Sequence, residues 1–485
     1  KRAFRIGLVI YGLGTTLTAV APNLGFVIIG WSIMEGLGSA LIVPAINTLV
    51  RANYADSRRA TAYGVLFGVA AAGAAFGPLI GGWITTAYTW RLAFGVEAVI
   101  VLGVLLSSGL LTDAPPVEPK PKLDVVGVVL SALGLGLLVF GVLQTSERGW
   151  SDPVILLLIG GGVAVLAGFV GWIRQREASG EPVLVHPSIF RHRSIGAGLP
   201  VLSTQTFAQA GLLFLIPVFT QSVLGFDAFE TGLTLLPLSV GVLVTSVATP
   251  RLGRIIYPRT IIQAGLVLLF VGGFVLARSL DGATEGSDMA LGLLLGGIAI
   301  GLIAGQLPNM ILSGVEPDEA SEASGLQGTA QNLGMAMGTA VIGTVILSVA
   351  LATISTDVGD STEIPDEIKD DIELAIEEGL TKPATDRLEQ NLAGQPAEVQ
   401  EAAQQIFDDG TLRGFQGAIL AGGIVALLGA LVAFRLPKKK LEADPGQPED
   451  EPVSDPIAET VRNTTLPGVH FEMDDLPAKA GGRGR

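Results

Sequence analysis

The chain has 485 residues, of which 49% are hydrophobic and 15% charged, with a mean hydropathy of +0.56, no cysteine and a formal net charge of −15. Soluble proteins carry roughly 25% charged residues, so neither a disordered chain nor an ordinary globular enzyme fits. The acidic balance excludes a basic nucleic-acid face. No cysteine means no disulfide frame and no thiolate metal site, and three histidines, His186, His192 and His470, none in a long apolar run, argue against zinc catalysis and a His-based triad.

A bilayer core takes about 20 apolar residues per helix. Such runs fall at 4–21, 25–50, 61–85, 91–111, 125–144, 154–173, 196–220, 230–250, 260–278, 288–312, 326–353 and 414–435. Their periodicity is helical, and they are too long for barrel strands. The fold class expected is therefore all-α, a polytopic membrane protein with about twelve spans present. Alternating the loops puts about 19 Lys and Arg on the side of Lys1 against 7 on the other. The excess marks the first residues and the C-terminal tail as cytoplasmic, in a multi-pass protein of the cell membrane. The acidic loop 313–325 runs against this trend.

The charge is not spread evenly. Residues 354–413 carry −12, the tail from Pro437 −3, and the rest of the chain zero. Segment 354–412 reads as an outer insertion with short amphipathic surface helices around Asp366–Glu378 and Ala397–Phe407. Residues 441–485, rich in Pro, Gly and acid, read as a disordered tail. The acidity suits either a salt-rich exterior or local attraction of cations.

An internal repeat relates Pro44–Gly82 to Pro308–Gly343. A proline ends a Gly-rich helix, a polar loop follows, and glycines recur as Gly73, Gly77 and Gly82 and then as Gly334, Gly338 and Gly343. Two halves of like orientation are a transporter pattern; chance is the competing account where Gly is so abundant. Gly faces spaced by four permit close helix contact, whether for static packing or for sliding.

Ionisable groups inside spans are costly and so are functional candidates. Two stand out, Glu35 and Glu97. Glu35 lies about 15 Å into its helix, with Ser32 and Ser39 expected on the same face. Each acid is either a proton-coupling site or a protonated packing residue. Gln205 with Gln209, Gln306 with Asn309 and Ser313, Gln327 with Gln331, and the softer stripe Tyr11, Thr15 and Thr18 are candidates to line a cavity. Interhelical hydrogen bonding is the alternative. A mostly apolar cavity with scattered amides suits amphipathic substrates.

The segment Gly73-Ala-Ala-Phe-Gly77-Pro78-Leu-Ile-Gly81-Gly82 resembles the antiporter signature of the major facilitator superfamily. Thr89-Trp90-Arg91-Leu-Ala-Phe94 is similar to the family's loop into helix six. Glu35-Gly36-Leu-Gly38 through Pro44 is similar to its helix-four motif, with Ser32, Gly36 and Pro44 at the motif positions. Lys122-Leu-Asp124, Ser324-Gly325-Leu-Gln327-Gly328 and Asn332-Leu-Gly334 resemble the fourteen-helix EmrB/QacA-type drug:proton antiporters.

The resemblance, over about residues 1–435, implies a major facilitator fold of two pseudo-symmetric bundles. It implies proton-coupled efflux of small hydrophobic or amphipathic compounds across the cytoplasmic membrane, with a kink at Pro78 that seals against leakage. In the family register the motif belongs on helix five, so the chain is expected to lack the first two helices. Residues 1–112 are then an incomplete first bundle, 113–195 two extra linking helices with a cytoplasmic loop, and 196–440 the second bundle. The family's usual Arg before the Glu35 position is Ser32 here, which puts the standard proton route in doubt; Glu97 sits where an amide is usual.

A uniporter or symporter of a polar metabolite, and a non-transporting truncated remnant, remain alternatives. The sequence holds no nucleotide loop, Ser/His pair or catalytic domain, so it is read as no enzyme. The expected partners are small molecules, protons and lipid, without nucleic acid, cofactor or metal, in a monomer powered by the proton gradient.

Overall fold

The computed structural model describes residues 1–54, 76–113, 124–145, 149–316, 319–377 and 390–438, together with positions 66, 69, 73 and 388. The tail 441–485 and most of the 61–75 run lie outside the described residues. The described secondary structure is helical throughout.

The helices are α1 (Arg2–Ala19), α2 (Leu24–Val27), a π-helical segment (Ile28–Glu35), α3 (Gly36–Asn53), α4 (76–87), α5 (Trp90–Ser107), α6 (Val125–Leu143) and α7 (Pro153–Ala178). Then follow α8 (Arg193–Ser222), α9 (Ala228–Thr234), α10 (Leu236–Ile255), α11 (Pro258–Ser279), α12 (Ala290–Ala304), α13 (Leu307–Ser313), α14 (Ala320–Asp360), α15 (Asp366–Glu377) and α16 (Ala397–Val432). Short polar side chains set several starts. Thr89 accepts from the Arg91 N–H, Asp124 from Gly127, and Asp152, followed by Pro153, from Val154. Asp227 and Glu230 close a capping box on α9.

Among the described residues nine helices are long and apolar enough to span a bilayer, or ten if α9 and α10, bent by 42°, count as one. Pro237, in the first turn of α10, explains that bend: it lacks an N–H and its ring crowds the preceding turn. The first apolar run is helical as α1, but Arg2 and Arg5 hold its hydropathy down.

The first-bundle helices pack around α1, with Phe4, Leu8 and Leu49 buried between them. In the second bundle α8 packs on α14 and α16, and α11 on α12 and α16, around Ile262, Leu266, Ile303 and Ile311. The α6–α7 hairpin and the segment that follows it are fastened to α14 at two places. At one, the Thr145 and Thr344 hydroxyls meet at 3.1 Å in a buried contact. At the other, Glu322 takes the His186 N–H at 3.0 Å and the His186 ring at 2.6 Å, and Glu319 meets His192 at 3.1 Å. Two acids of the loop 313–325 thus have partners in the segment that follows α7.

The acidic segment departs from expectation. The stretch from Ala397 is not a separate surface helix; it is the start of α16, which runs 36 residues without a break, as α14 runs 41. At 1.5 Å per residue α14 is about 60 Å long, twice the apolar thickness of a bilayer. The outer turns of both helices enclose α15 through Ile354, Val358, Ile368, Ile372 and Ala403. That apolar contact is what keeps the helices regular beyond the membrane zone. The repeat also differs in detail: Pro44 lies inside the continuous α3, whereas Pro308 opens α13 after a break at Gly305–Gln306.

Candidate functional site

The two acids singled out in the sequence come together. On α5, Glu97 accepts the Tyr11 hydroxyl at Oε1 (2.6 Å) and the Thr15 hydroxyl at Oε2 (3.0 Å). Tyr11 and Thr15 are one turn apart on α1 and so share a face. Glu35 is 5% exposed, and its Oε1 is buried with no hydrogen-bond partner among the described residues. Tyr11, Thr15 and Glu97 are the polar groups that act on it. Four side chains from three helices thus form one cluster, and the stripe read as cavity lining supplies its hydroxyls.

The expected company of Glu35 does not form. Ser32 is exposed, and Ser39 bonds back to the Gly36 carbonyl. The reason is the π segment that ends at Glu35. Its wider i→i+5 turn rotates Ser32 away from the face that α-helical spacing assigned it. Such bulges concentrate at functional sites.

The antiporter motif is used unevenly. A Cβ on Gly73, Gly77 or Gly81 would meet nothing within 4 Å among the described residues, and the same holds for Gly36. Pro78 and Gly82 carry the tight contact instead. A Cβ on Gly82 would run into the Ala228 backbone, and one on Gly232 would stand 2.6 Å from the Pro78 carbonyl oxygen. The Phe229 N–H donates to Thr86 Oγ1 at 3.1 Å. The motif helix α4 therefore meets α9 of the second bundle backbone to backbone. Pro44 is exposed within α3.

The amides divide. Gln205 donates to Gln209 at 2.7 Å along one helix. Gln306 is 1% exposed, donates to the Thr249 carbonyl at 2.7 Å and lies against Gly253, so it bridges α10 to the α12–α13 break. Asn309 and Gln331 are exposed, and Gln327 Oε1 is buried without a partner among the described residues. A cavity of about 20 Å³ lies between α8, α11, α14 and α16, lined by Gly211, Leu215, Gly273, Ile342, Gly422 and their neighbours; none of these amides lines it. The sequence reading missed Gln263, whose Nε2 is buried and unpartnered among the described residues. A lone amide in the apolar first half of α11 was the available signal.

Residues 1–339 match the family model described as Major Facilitator Superfamily. The chain belongs to the major facilitator superfamily. It is a transporter, not an enzyme, and a multi-pass membrane protein.

Curated relatives from this superfamily include a probable actinorhodin transporter of Streptomyces coelicolor, 28% identical over 92% of this chain and 81% of that one. A tetracenomycin C resistance and export protein of Streptomyces glaucescens is 27% identical over 93% and 82%. A cephamycin export protein of Amycolatopsis lactamdurans is 30% identical over 71% of each chain. A crystal structure of a bacterial homologue of the human lysosomal transporter Spinster superposes with a TM-score of 0.53 at 14% identity, over 90% of this chain and 83% of that one. That likeness concerns the fold alone.

Proposed function

We propose that the chain exports small hydrophobic or amphipathic compounds across the cell membrane in exchange for protons, with Glu35 and Glu97 carrying the exchanged proton. The relatives named for export and resistance support the direction of transport and the substrate class. The observation that carries the proton reading is the shared hydroxyl pair: Tyr11 and Thr15 donate to Glu97 while Glu35, with a buried unpartnered oxygen, lies against them. Burying a charge on Glu35 is costly, a second carboxyl in the same cluster adds to that cost, and a proton held by the cluster relieves both.

Among the described residues no lysine, arginine or histidine acts on Glu35. A proton is thus the simplest neutralising partner. The fourteen-helix drug:proton branch, the Lys1 end in the cytoplasm and a monomeric carrier belong to the same proposal. Charge asymmetry of the loops supports the orientation.

Inverted vesicles with an acidic lumen, given a fluorescent amphipathic dye on the outside, test the reading. Dye accumulation that a protonophore abolishes, and that Glu35→Gln and Glu97→Gln each reduce, is the expected result. Accumulation indifferent to the protonophore sinks the exchange mechanism, and full activity in both variants sinks the assignment of the acids.

A further inference from the structure

We infer that Gly14 is a positioning residue for proton coupling: its missing side chain sets the distance between Glu35 and the hydroxyls that join it to Glu97. The inference rests on the coupling reading above and adds a residue that the antiporter motif does not contain.

The α1 helix crosses the π segment at a pair of glycines. A Cβ on Gly14 would stand 2.6 Å from the Gly30 carbonyl oxygen, 2.8 Å from Met34 Cβ and 3.0 Å from the Glu35 backbone nitrogen. A Cβ on Gly30 would in turn stand 2.6 Å from the Gly14 carbonyl oxygen and 2.5 Å from Thr18 Oγ1. Most of these neighbours are backbone, which cannot swing aside as a flexible side chain can. Ordinary contact begins near 3.4 Å, so an alanine at Gly14 would push the helices apart by roughly 0.8 Å.

The direction of that push matters. Thr15 follows Gly14 directly, is fully buried, and donates to Glu97 on α5, as does Tyr11. Glu35 lies on the π segment, the element against which Gly14 presses. Widening this crossing carries Glu35 away from Tyr11 and Thr15 and leaves the Glu97 bonds, made between α1 and α5, in place. A charge on one acid would then be felt less by the other.

Among the described residues the titratable groups that face Glu35 are Tyr11 from α1 and Glu97 from α5. Neither α2 nor the π segment carries another titratable side chain besides Glu35 itself, and Arg51 is the one in α3, four turns away in sequence. A second crossing nearer the start of α1, where a Cβ on Gly7 would stand 2.9 Å from the Gly38 carbonyl oxygen, provides a packing control.

The test is dye efflux measured across a pH series for wild type, Gly14→Ala, Glu35→Gln, the double variant and Gly7→Ala. Gly14→Ala is expected to move the pH profile by about half a unit or more and to have no further effect on the profile in the Glu35→Gln background. Gly7→Ala is expected to change the rate without moving the profile. A Gly14→Ala protein that is slower by the same factor at every pH overturns the inference while leaving the coupling reading intact. A Glu35→Gln protein with an unaltered profile overturns the coupling reading itself. Should Gly14→Ala not reach the membrane, Gly30→Ala presses on the same crossing from the other side and is read in its place. Failure of both to insert assigns the glycines to folding and overturns the inference.

Discussion

Gly232 of α9 sits so close to Pro78 of α4 that a Cβ on the glycine would stand 2.6 Å from the proline carbonyl oxygen. Backbone contact at this range between two bundles leaves no space for a side chain. Gly232→Leu is expected to hold the bundles apart and to lower dye efflux at least about tenfold, equivalent to some 1.4 kcal/mol on the limiting step. Gly136→Leu on α6, where a Cβ would meet nothing within 4 Å among the described residues, is the matched control and should transport normally. Equal efflux in the two variants would remove the close approach from the transport cycle.

The donors to Glu97 can be removed one at a time. Tyr11→Phe deprives Oε1 of its 2.6 Å bond and Thr15→Val deprives Oε2 of its 3.0 Å bond. Leaving a part-buried acceptor unsatisfied costs about 1–3 kcal/mol, so each variant should slow proton-driven efflux about 5- to 100-fold. Because the donors share one acceptor, the double variant should lose less than the product of the single losses. Rates measured under a fixed proton gradient decide this.

The α6–α7 hairpin is held at Thr145–Thr344 and the segment that follows it at the two His–Glu pairs, so the hairpin should move with α14. These 485 residues hold no cysteine, which makes the experiment clean. An oxidised Thr145→Cys/Thr344→Cys pair is expected to leave efflux within about twofold of the reduced form, since a rigid body loses nothing when it is tied to itself. A Thr86→Cys/Phe229→Cys pair ties the two bundles across the α4–α9 contact and should block efflux until reduced. If the hairpin cross-link also blocks, the hairpin slides during transport.

At the start of α6, Asp124 is 4% exposed, and burial opposes its ionisation. The Gly127 N–H, the Trp172 indole and the nearby Arg176 outweigh that and hold its carboxyl below the ordinary value of 3.8. A depressed folded-state pKa contributes stability above the unfolded value and loses it as the pH falls through the folded one. The Tm gap between wild type and Asp124→Asn in detergent should therefore be constant from neutrality to about pH 4 and shrink below it. A gap that changes between pH 5 and 7 would rule out this residue as the source.

In the acidic module Ile372 is fully buried. Ile372→Ala should weaken the module by about 2–5 kcal/mol. Limited proteolysis should then cut near α15 faster, with dye efflux retained. Loss of efflux together with fast cleavage would tie the module to transport.

The apolar runs made the spans legible, because lipid demands about 20 such residues whatever the tertiary arrangement. Glu35 and Glu97 were legible for the same reason: a carboxyl in an apolar run is its own flag. What joins them was not. Nothing in Ile28–Glu35 distinguishes a π turn from an α turn, because the choice depends on packing against α1, and that choice moved Ser32 off the site. The His186–Glu322 and Thr145–Thr344 contacts bridge 136 and 199 positions in the chain, beyond the reach of any local pattern. The unbroken α16 was hidden because its first turns are as amphipathic as a surface helix, and only the partner core with α14 explains why it continues.

The two longest helices leave the apolar zone without a hinge, and their far turns are locked together around Ile372. They form one stiff lever. Torque on the acidic module passes directly into the pair that braces the second bundle, where a loop of the same composition would have absorbed it.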